Sequence, residues 1–317
     1  MKKLLLYVVH RLAWTIPTLL LVSAMVFVLV RLIPGDPAIV SLGDDATAQQ
    51  IADFRARFGL DQPIPVQFVL WLGQVVRGDL GVSVANGQAI APLILERFQV
   101  SATIVLCAMA LAVLISVPLG LLAAWRQNSS LDVAIVSIAT LLLAIPGFWL
   151  GLLMLMLFGL KLGWVPVIGY VPFSENFGAA ALYVALPIAT LTLLEIGLLV
   201  RMMRAGAVEV LNLEYVTHAR AKGLGERAVL FRHVFPNAFA PTLTIIGLAL
   251  GNLLGGIAVM ETVFTLPGLG RLMVDAIYGR DYPVIQGCLL FTAFIYVLVN
   301  LIVDLLYPVF DPRVTAA

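Results

Sequence analysis

Long apolar runs constrain this chain more than any other feature. Several exceed the ~18 residues that suffice to cross a bilayer, and 62% of the 317 residues are apolar while 12% are charged. A water-soluble domain carries roughly twice that charge fraction. In lipid only a helix satisfies every backbone amide within its own segment, so the expected fold is all-α and polytopic. Six spans are legible by hydropathy, over residues 12–30, 102–125, 133–160, 179–200, 242–264 and 284–307. Pro146 and Pro187 fall inside the third and fourth and are expected to kink them.

The amino-terminal Met1-Lys2-Lys3 and the apolar stretch after it have the look of a secretory signal. The stretch between Arg11 and Arg31 is too long for a signal core, and further spans follow it. Cys107 and Cys288 both lie in apolar runs. Two isolated cysteines make neither a disulfide framework nor a metal site, so they read as free buried thiols. The net charge of +1 is sorted by loop rather than gathered in a patch, so no nucleic-acid partner is expected.

The basic residues set the orientation. Lys2, Lys3 and Arg11 precede the first span and put that end in the cytosol. Six spans return the carboxyl terminus to the same side. The loop between spans four and five then also faces the cytosol, with Arg201, Arg204, Arg220, Lys222, Arg227 and Arg232 against Glu209, Glu214 and Glu226. Residues 31–100, with five basic and seven acidic side chains, fall outside. That outer segment is too long to be structureless. Thr47 with Gln50 reads as a capping box opening a helix towards Arg57. Residues 65–76 form a second helical candidate, with Val66, Val69, Leu70 and Gly73 on one side, and residues 90–98 a third. A small helical lid over the outer span ends is expected, either as a packing element or in contact with ligand.

The charged island from Glu214 to Pro241 separates two apolar spans. Gly223 and Gly225 are expected to split it into two short helices. Val229, Leu230, His233 and Val234 share a helical face, with Arg227 and Arg232 at its sides. Glu226 opens the second piece, where an acid suits the helix dipole. Such a ridge suits a groove on a soluble partner; the alternative is a basic loop lying on anionic lipid.

Within the spans, Gly247, Gly251 and Gly255 recur at four-residue spacing, a close-packing face within the chain or against another. Glu195 sits six residues before Arg201 and should face protein or water rather than lipid. It is either a polar site on a substrate path or a partner in an inter-helix hydrogen bond. Asp304 reads as an interfacial residue. The turn Pro267-Gly268-Leu269-Gly270 reads as a re-entrant or lid element.

Six stretches carry a resemblance. They are Arg31-Leu-Ile-Pro-Gly-Asp-Pro-Ala38, Phe58-Gly-Leu-Asp-Gln-Pro-Ile-Pro-Val-Gln67, Ala219-Arg-Ala-Lys-Gly-Leu224, Glu261-Thr-Val-Phe-Thr-Leu-Pro-Gly-Leu-Gly-Arg271, Arg280-Asp-Tyr-Pro-Val-Ile-Gln286 and Asp304-Leu-Leu-Tyr-Pro-Val-Phe-Asp-Pro-Arg313. In this order, over essentially the whole chain, they resemble the first permease subunit of the dipeptide, oligopeptide, glutathione and nickel group of ABC importers. The loop named in that family for a Glu-Ala-Ala start reads Thr217-His218-Ala219 here, and His233 and Phe235 replace aliphatic residues before Pro236. The resemblance implies a type I importer permease fold: residues 1–30 the cytosolic amino terminus and first span, 31–100 a periplasmic helical insertion, and 101–317 the permease core with its coupling loop at 201–241.

The resemblance further implies a second, homologous permease subunit in a heterodimer, two cytosolic ATP-binding subunits, and a periplasmic or lipid-anchored substrate-binding protein. Membrane lipid surrounds the whole, in the bacterial inner membrane. The ATPase would dock on Glu214, Thr217, His218, Ala219, Arg220, Lys222, Gly223, Leu224, Gly225, Val229, Leu230, His233 and Pro236. No Gly-x-x-x-x-Gly-Lys-Ser/Thr loop occurs, so ATP and Mg belong to other chains, and no cofactor, metal or catalytic residue is expected in this one. An intramembrane metalloprotease would need a His-Glu-x-x-His helix, which is absent, and no histidine lies inside a span. A stand-alone secondary carrier usually shows mid-membrane charges, and only Glu195 comes near. Short peptides suit a path with few charges; glutathione, nickel chelates or another small solute remain open.

Overall fold

In the computed structural model, which describes residues 2–32, 39, 46–59 and 61–310, helices satisfy the backbone almost throughout. Helix α1 (Lys2–Leu32) is followed by α2 (Ala48–Phe58), α3 (Ile64–Val76) and the long α4 (Ile90–Trp125). Next come α5 (Ser130–Ala144), α6 (Gly147–Met154, continuing as a π-turn over Leu155–Lys161) and α7 (Phe177–Leu211). Helices α8 (Glu214–Ala221) and α9 (Glu226–Val229, continuing as a π-turn over Leu230–Val234) lead into α10 (Phe235–Gly256). Helices α11 (Ala258–Val263), α12 (Leu269–Tyr278) and α13 (Tyr282–Phe310) complete the chain. The expected motif residues 33–38, 60 and 311–313 lie outside the described residues.

Among the described residues five helices are long and apolar enough to span a membrane, six if the bent α5–α6 pair counts as one span. Pro146 does more than kink the third span. It disfavours helical geometry at the residue before it, Ile145 is extended (φ −84°, ψ 125°), and the two halves meet at 98°. Pro187, by contrast, leaves α7 continuous. The fifth span also departs from a single helix: α10 ends at Gly256 and α11 follows.

The expected third helix of the insertion is not separate. Residues 90–98 form the start of α4, whose 36 residues reach about 54 Å at 1.5 Å each, well past a bilayer's hydrocarbon core. The Thr47–Gln50 capping box is present in full, and Gly59 closes α2 in the left-handed region (φ +64°). Helix α3 forms as expected, with Val66, Val69 and Leu70 exposed.

Helices α4, α7 and α10 make the core. At the end that carries α2 and α3, Val100, Ile104 and Val184 pack with Met260, Phe264 and Leu266. At the opposite end, Leu121, Met203 and Ala207 pack with α8 and α9. Helix α1 runs antiparallel beside α13, joined near one end by Arg11–Asp304 at 3.0 Å. Cys288 is buried, whereas Cys107 stands on the exposed face of α4, because burial on a helix in lipid follows its protein-facing stripe and not its hydropathy.

The glycine stripe packs inside the chain over two of its three members. A Cβ on Gly247 would strike Val303, and one on Gly251 would strike Tyr296, both on α13; one on Gly255 would meet nothing. Gly251→Leu should therefore cost the permease about 1–3 kcal/mol by overpacking and lower its unfolding midpoint in detergent. Gly255→Leu should leave that midpoint unchanged.

Candidate functional site

The loop between α7 and α10 is closed by its own backbone. Gly223 adopts φ +83°, which only glycine takes without strain. Its N–H donates to the Arg220 carbonyl (2.9 Å) and the Leu224 N–H donates to the Ala219 carbonyl (3.3 Å). These two bonds form a Schellman turn that ends α8. Arg220 then reaches across the turn to Glu226 with Nε–Oε1 at 2.9 Å and Nη2–Oε2 at 3.2 Å. The pair is exposed, so it sets the angle of the turn and adds little stability. The second piece is not a free short helix as the sequence suggests: α9 runs through its π-turn directly into α10.

The ridge expected to face a partner is turned inward. Val229 and Val234 are fully buried and Leu230 is 9% exposed. With Val216 and Ala219 of α8 they pack on Leu121 and Ala124 of α4, Met203, Ala207 and Val210 of α7, and Ala238 of α10. The reason is geometric. An amphipathic helix buries its apolar face against the nearest apolar surface, and the ends of α4 and α7 provide one within the same chain. The outward surface consists instead of Glu214, Thr217, His218, Arg220, Lys222, Gly223 and Gly225, joined by Arg227, Phe231 and Arg232. Leu224, His233 and Pro236 are half-buried at the border. Phe231, 64% exposed, is the most exposed of the large apolar side chains on that loop, ahead of Leu213 and Tyr215, and sequence reasoning missed it.

Glu195 is half-buried on α7, and its Oε2 lies buried without a hydrogen-bond partner. The inter-helix hydrogen bond considered for it is not formed at that oxygen.

Three other buried carboxylates hold irregular backbone in place. Asp132, at the start of α5, takes Nε and Nη2 of Arg204 on its two oxygens at 2.6 and 2.7 Å, pinning the broken third span to α7. Glu261, fully buried, accepts from the Ser101 hydroxyl of α4 and from the Arg271 N–H, while Ser101 Oγ accepts the Leu269 N–H. The Pro267–Gly270 turn is thus clamped onto α4, and a Cβ on Gly268 would overlap the Glu261 carboxylate. Asp281 accepts from Ser83 Oγ and from the N–H groups of Val84, Ala85 and Val284, tying the chain before α4 to the start of α13. The sequence analysis missed Asp132, although the Ser-x-x-Asp spacing at Ser129–Asp132 is a local signal that points to it; none points to its partner 72 residues on.

The described residues thus offer up to six segments long and apolar enough to cross a membrane, with a clamped charged loop at one end. The chain belongs to the family of binding-protein-dependent transport system inner membrane components: that family's model matches residues 116–316, and the model of its amino-terminal part matches residues 4–111. Its fold is the type I importer permease fold of that family, and ABC importers work with ATPase and substrate-binding partners.

Among relatives, a putative peptide transport system permease protein of Brucella suis is 41% identical over 307 residues, covering 97% of this chain and 98% of that one. The dipeptide transport system permease protein DppB of Alkalihalophilus pseudofirmus is 38% identical over 331 residues, covering 98% and 99%. The glutathione transport system permease protein GsiC of Pectobacterium atrosepticum is 39% identical over 308 residues, covering 97% and 98%.

Asp132→Ala leaves Arg204 without its counter-charge and should destabilise the permease by about 3 kcal/mol, read as a lowered unfolding midpoint. Adding Arg204→Met to that variant should restore most of the loss.

Proposed function

We propose that this chain forms half of the translocation path of an importer for short peptides, paired with a second, homologous permease subunit. Both termini and the α8–α9 loop face the cytosol, where two ATP-binding subunits grip the loop. A substrate-binding protein, periplasmic or lipid-anchored, delivers the peptide at the other face. This chain binds no cofactor and catalyses no reaction; ATP and Mg are used by the ATPase subunits. The observation that carries the reading is near-full-length similarity, around 40%, to relatives named for peptide and dipeptide transport. The relative named for glutathione keeps a second reading in play, in which the cargo is that small modified peptide.

The loop's construction supports its part in coupling. Its apolar side is fused to α4, α7 and α10, so force applied to its outward side reaches the spans without slack. Alternating access then proceeds as rigid-body rocking of the helices. The docking surface is the charged outward one, with Phe231 as an anchor and Arg227 and Arg232 setting register. Glu195 is our candidate on α7 to meet a peptide amine, a reading its unsatisfied carboxylate oxygen supports.

The full transporter in proteoliposomes, with its binding protein, should hydrolyse ATP faster when given di- or tripeptides than when given glutathione. Stimulation by glutathione alone supports the second reading, and stimulation by neither overturns both. Arg227→Glu combined with Arg232→Glu should cut ATPase co-purification about tenfold, the loss of roughly 1.4 kcal/mol, with the permease's own unfolding midpoint unchanged. Leu230→Asp should instead lower that midpoint, since it places a charge in the core. Glu195→Gln should alter the ranking of charged against neutral peptides; an unchanged ranking removes Glu195 from the path.

A further inference from the structure

A cavity of about 730 Å³ lies between the last turn of α1, the face of α3, the turn at 77–82 and the first turns of α13. It is separate from the α4–α7–α10 core that holds Glu195, and from the α8–α9 loop. Its rim is rich in hydrogen-bond donors. Arg31 lies over the Phe27 ring at 3.5 Å and gives Nε and Nη2 to Gln67 Oε1. Among the described residues its remaining amine, Nη1, meets only the Phe27 carbonyl, at 3.5 Å. Arg77 closes α3 at the same rim, and the Nε2 of Gln286 is buried there without an acceptor. Asp79, the single carboxylate among the described lining residues, already accepts the Gly81 N–H. Among the described residues, two arginines and a glutamine with an orphaned amide thus line this space against one carboxylate.

The floor is apolar. Val30, Leu70 and Leu290 line it, and Val30 and Leu290 belong to the two spans α1 and α13. Leu290 lies eight residues into α13, about 12 Å along a helix. The cavity thus sets these donors, at the end of two spans, beside apolar side chains from the same spans and from α3. Phosphodiester oxygens are bidentate acceptors for arginine, and basic pockets between membrane helices take anionic lipid headgroups. We propose that this cavity binds an anionic glycerophospholipid, its phosphodiester held by Arg31, Arg77 and Gln286 and an acyl chain lying along Val30, Leu70 and Leu290. A soluble anion would leave the apolar base unused. The inference depends only on α1 and α13 crossing the bilayer, and holds whatever solute the permease carries.

The test is lipid retention by the assembled transporter, exchanged in detergent into phosphatidylglycerol or phosphatidylcholine and weighed by native mass spectrometry. Wild type should retain phosphatidylglycerol on this permease, not phosphatidylcholine, and excess inorganic phosphate should not displace it. Arg77→Gln and Gln286→Leu should each cut occupancy about tenfold, as expected for losing a hydrogen bond to a charged group. Gly73→Phe serves as a variant that leaves all three donors in place. Gly73 lines the cavity, and a Cβ there meets nothing within 4 Å, so the ring should fill the space and displace the lipid with the fold intact. Equal retention in wild type and all variants overturns the proposal, as does equal retention of both lipids or displacement by inorganic phosphate.

Discussion

The contact on which this molecule depends is the one between the apolar side of its charged loop and the ends of its own spans. Val216, Val229, Leu230 and Val234 leave water for a pocket made by α4, α7 and α10. Burial is worth roughly 1.5–3 kcal/mol for each such side chain. Without it, α8 would hang from the bundle by a single turn, because the Arg220–Glu226 pair is exposed and contributes little. With it, the loop is the base of the helices themselves. Coupling by rigid-body motion requires that property, since a lever transmits only what its attachment can resist.

The rest of the bundle shows how broken helices are held in a setting that tolerates few free polar groups. The third span bends at Ile145–Pro146 and the fifth stops at Gly256, and both need fixed partners. Asp132 pairs with Arg204 across to α7, and Glu261 draws Ser101 and the Pro267–Gly270 turn together. Charged groups inside membrane helices are costly and as a rule paired or hydrogen-bonded, as these are. Here the pairing spans distant parts of the chain, so the same contacts that satisfy the carboxylates also fix the relative positions of the spans. Asp281 does this between the insertion and α13.

Hydropathy was enough to find the segments fit to cross a membrane, five single helices and one bent pair among the described residues, because an apolar run in lipid has one way to satisfy its backbone. Local signals read just as directly: the Thr47–Gln50 box and the Gly223 turn depend on residues three to five apart. What the sequence hid was the direction in which faces point. Val229, Leu230 and Val234 share a helical stripe whichever way it turns, and only the positions of α4 and α7 decide that it turns inward. Cys107 was misread for the same reason, since hydropathy does not separate lipid-facing from protein-facing positions. Glu261 sat inside a recognised motif, yet its clamp on Ser101 joins residues 160 apart. Pro146 marks the break, through the extended Ile145 before it, but no local signal gives the 98° between the two halves.

A rigid attachment predicts that the loop and the base of α4 move as one body. Spin labels placed at Gln127 and at Lys222, both exposed, in an assembled transporter carrying Cys107→Ser, report the distance between them by pulsed electron resonance. The account predicts the same distance distribution with and without ATP bound. A distribution that shifts or splits when nucleotide is added would mean that the loop swings on its own, and would contradict it.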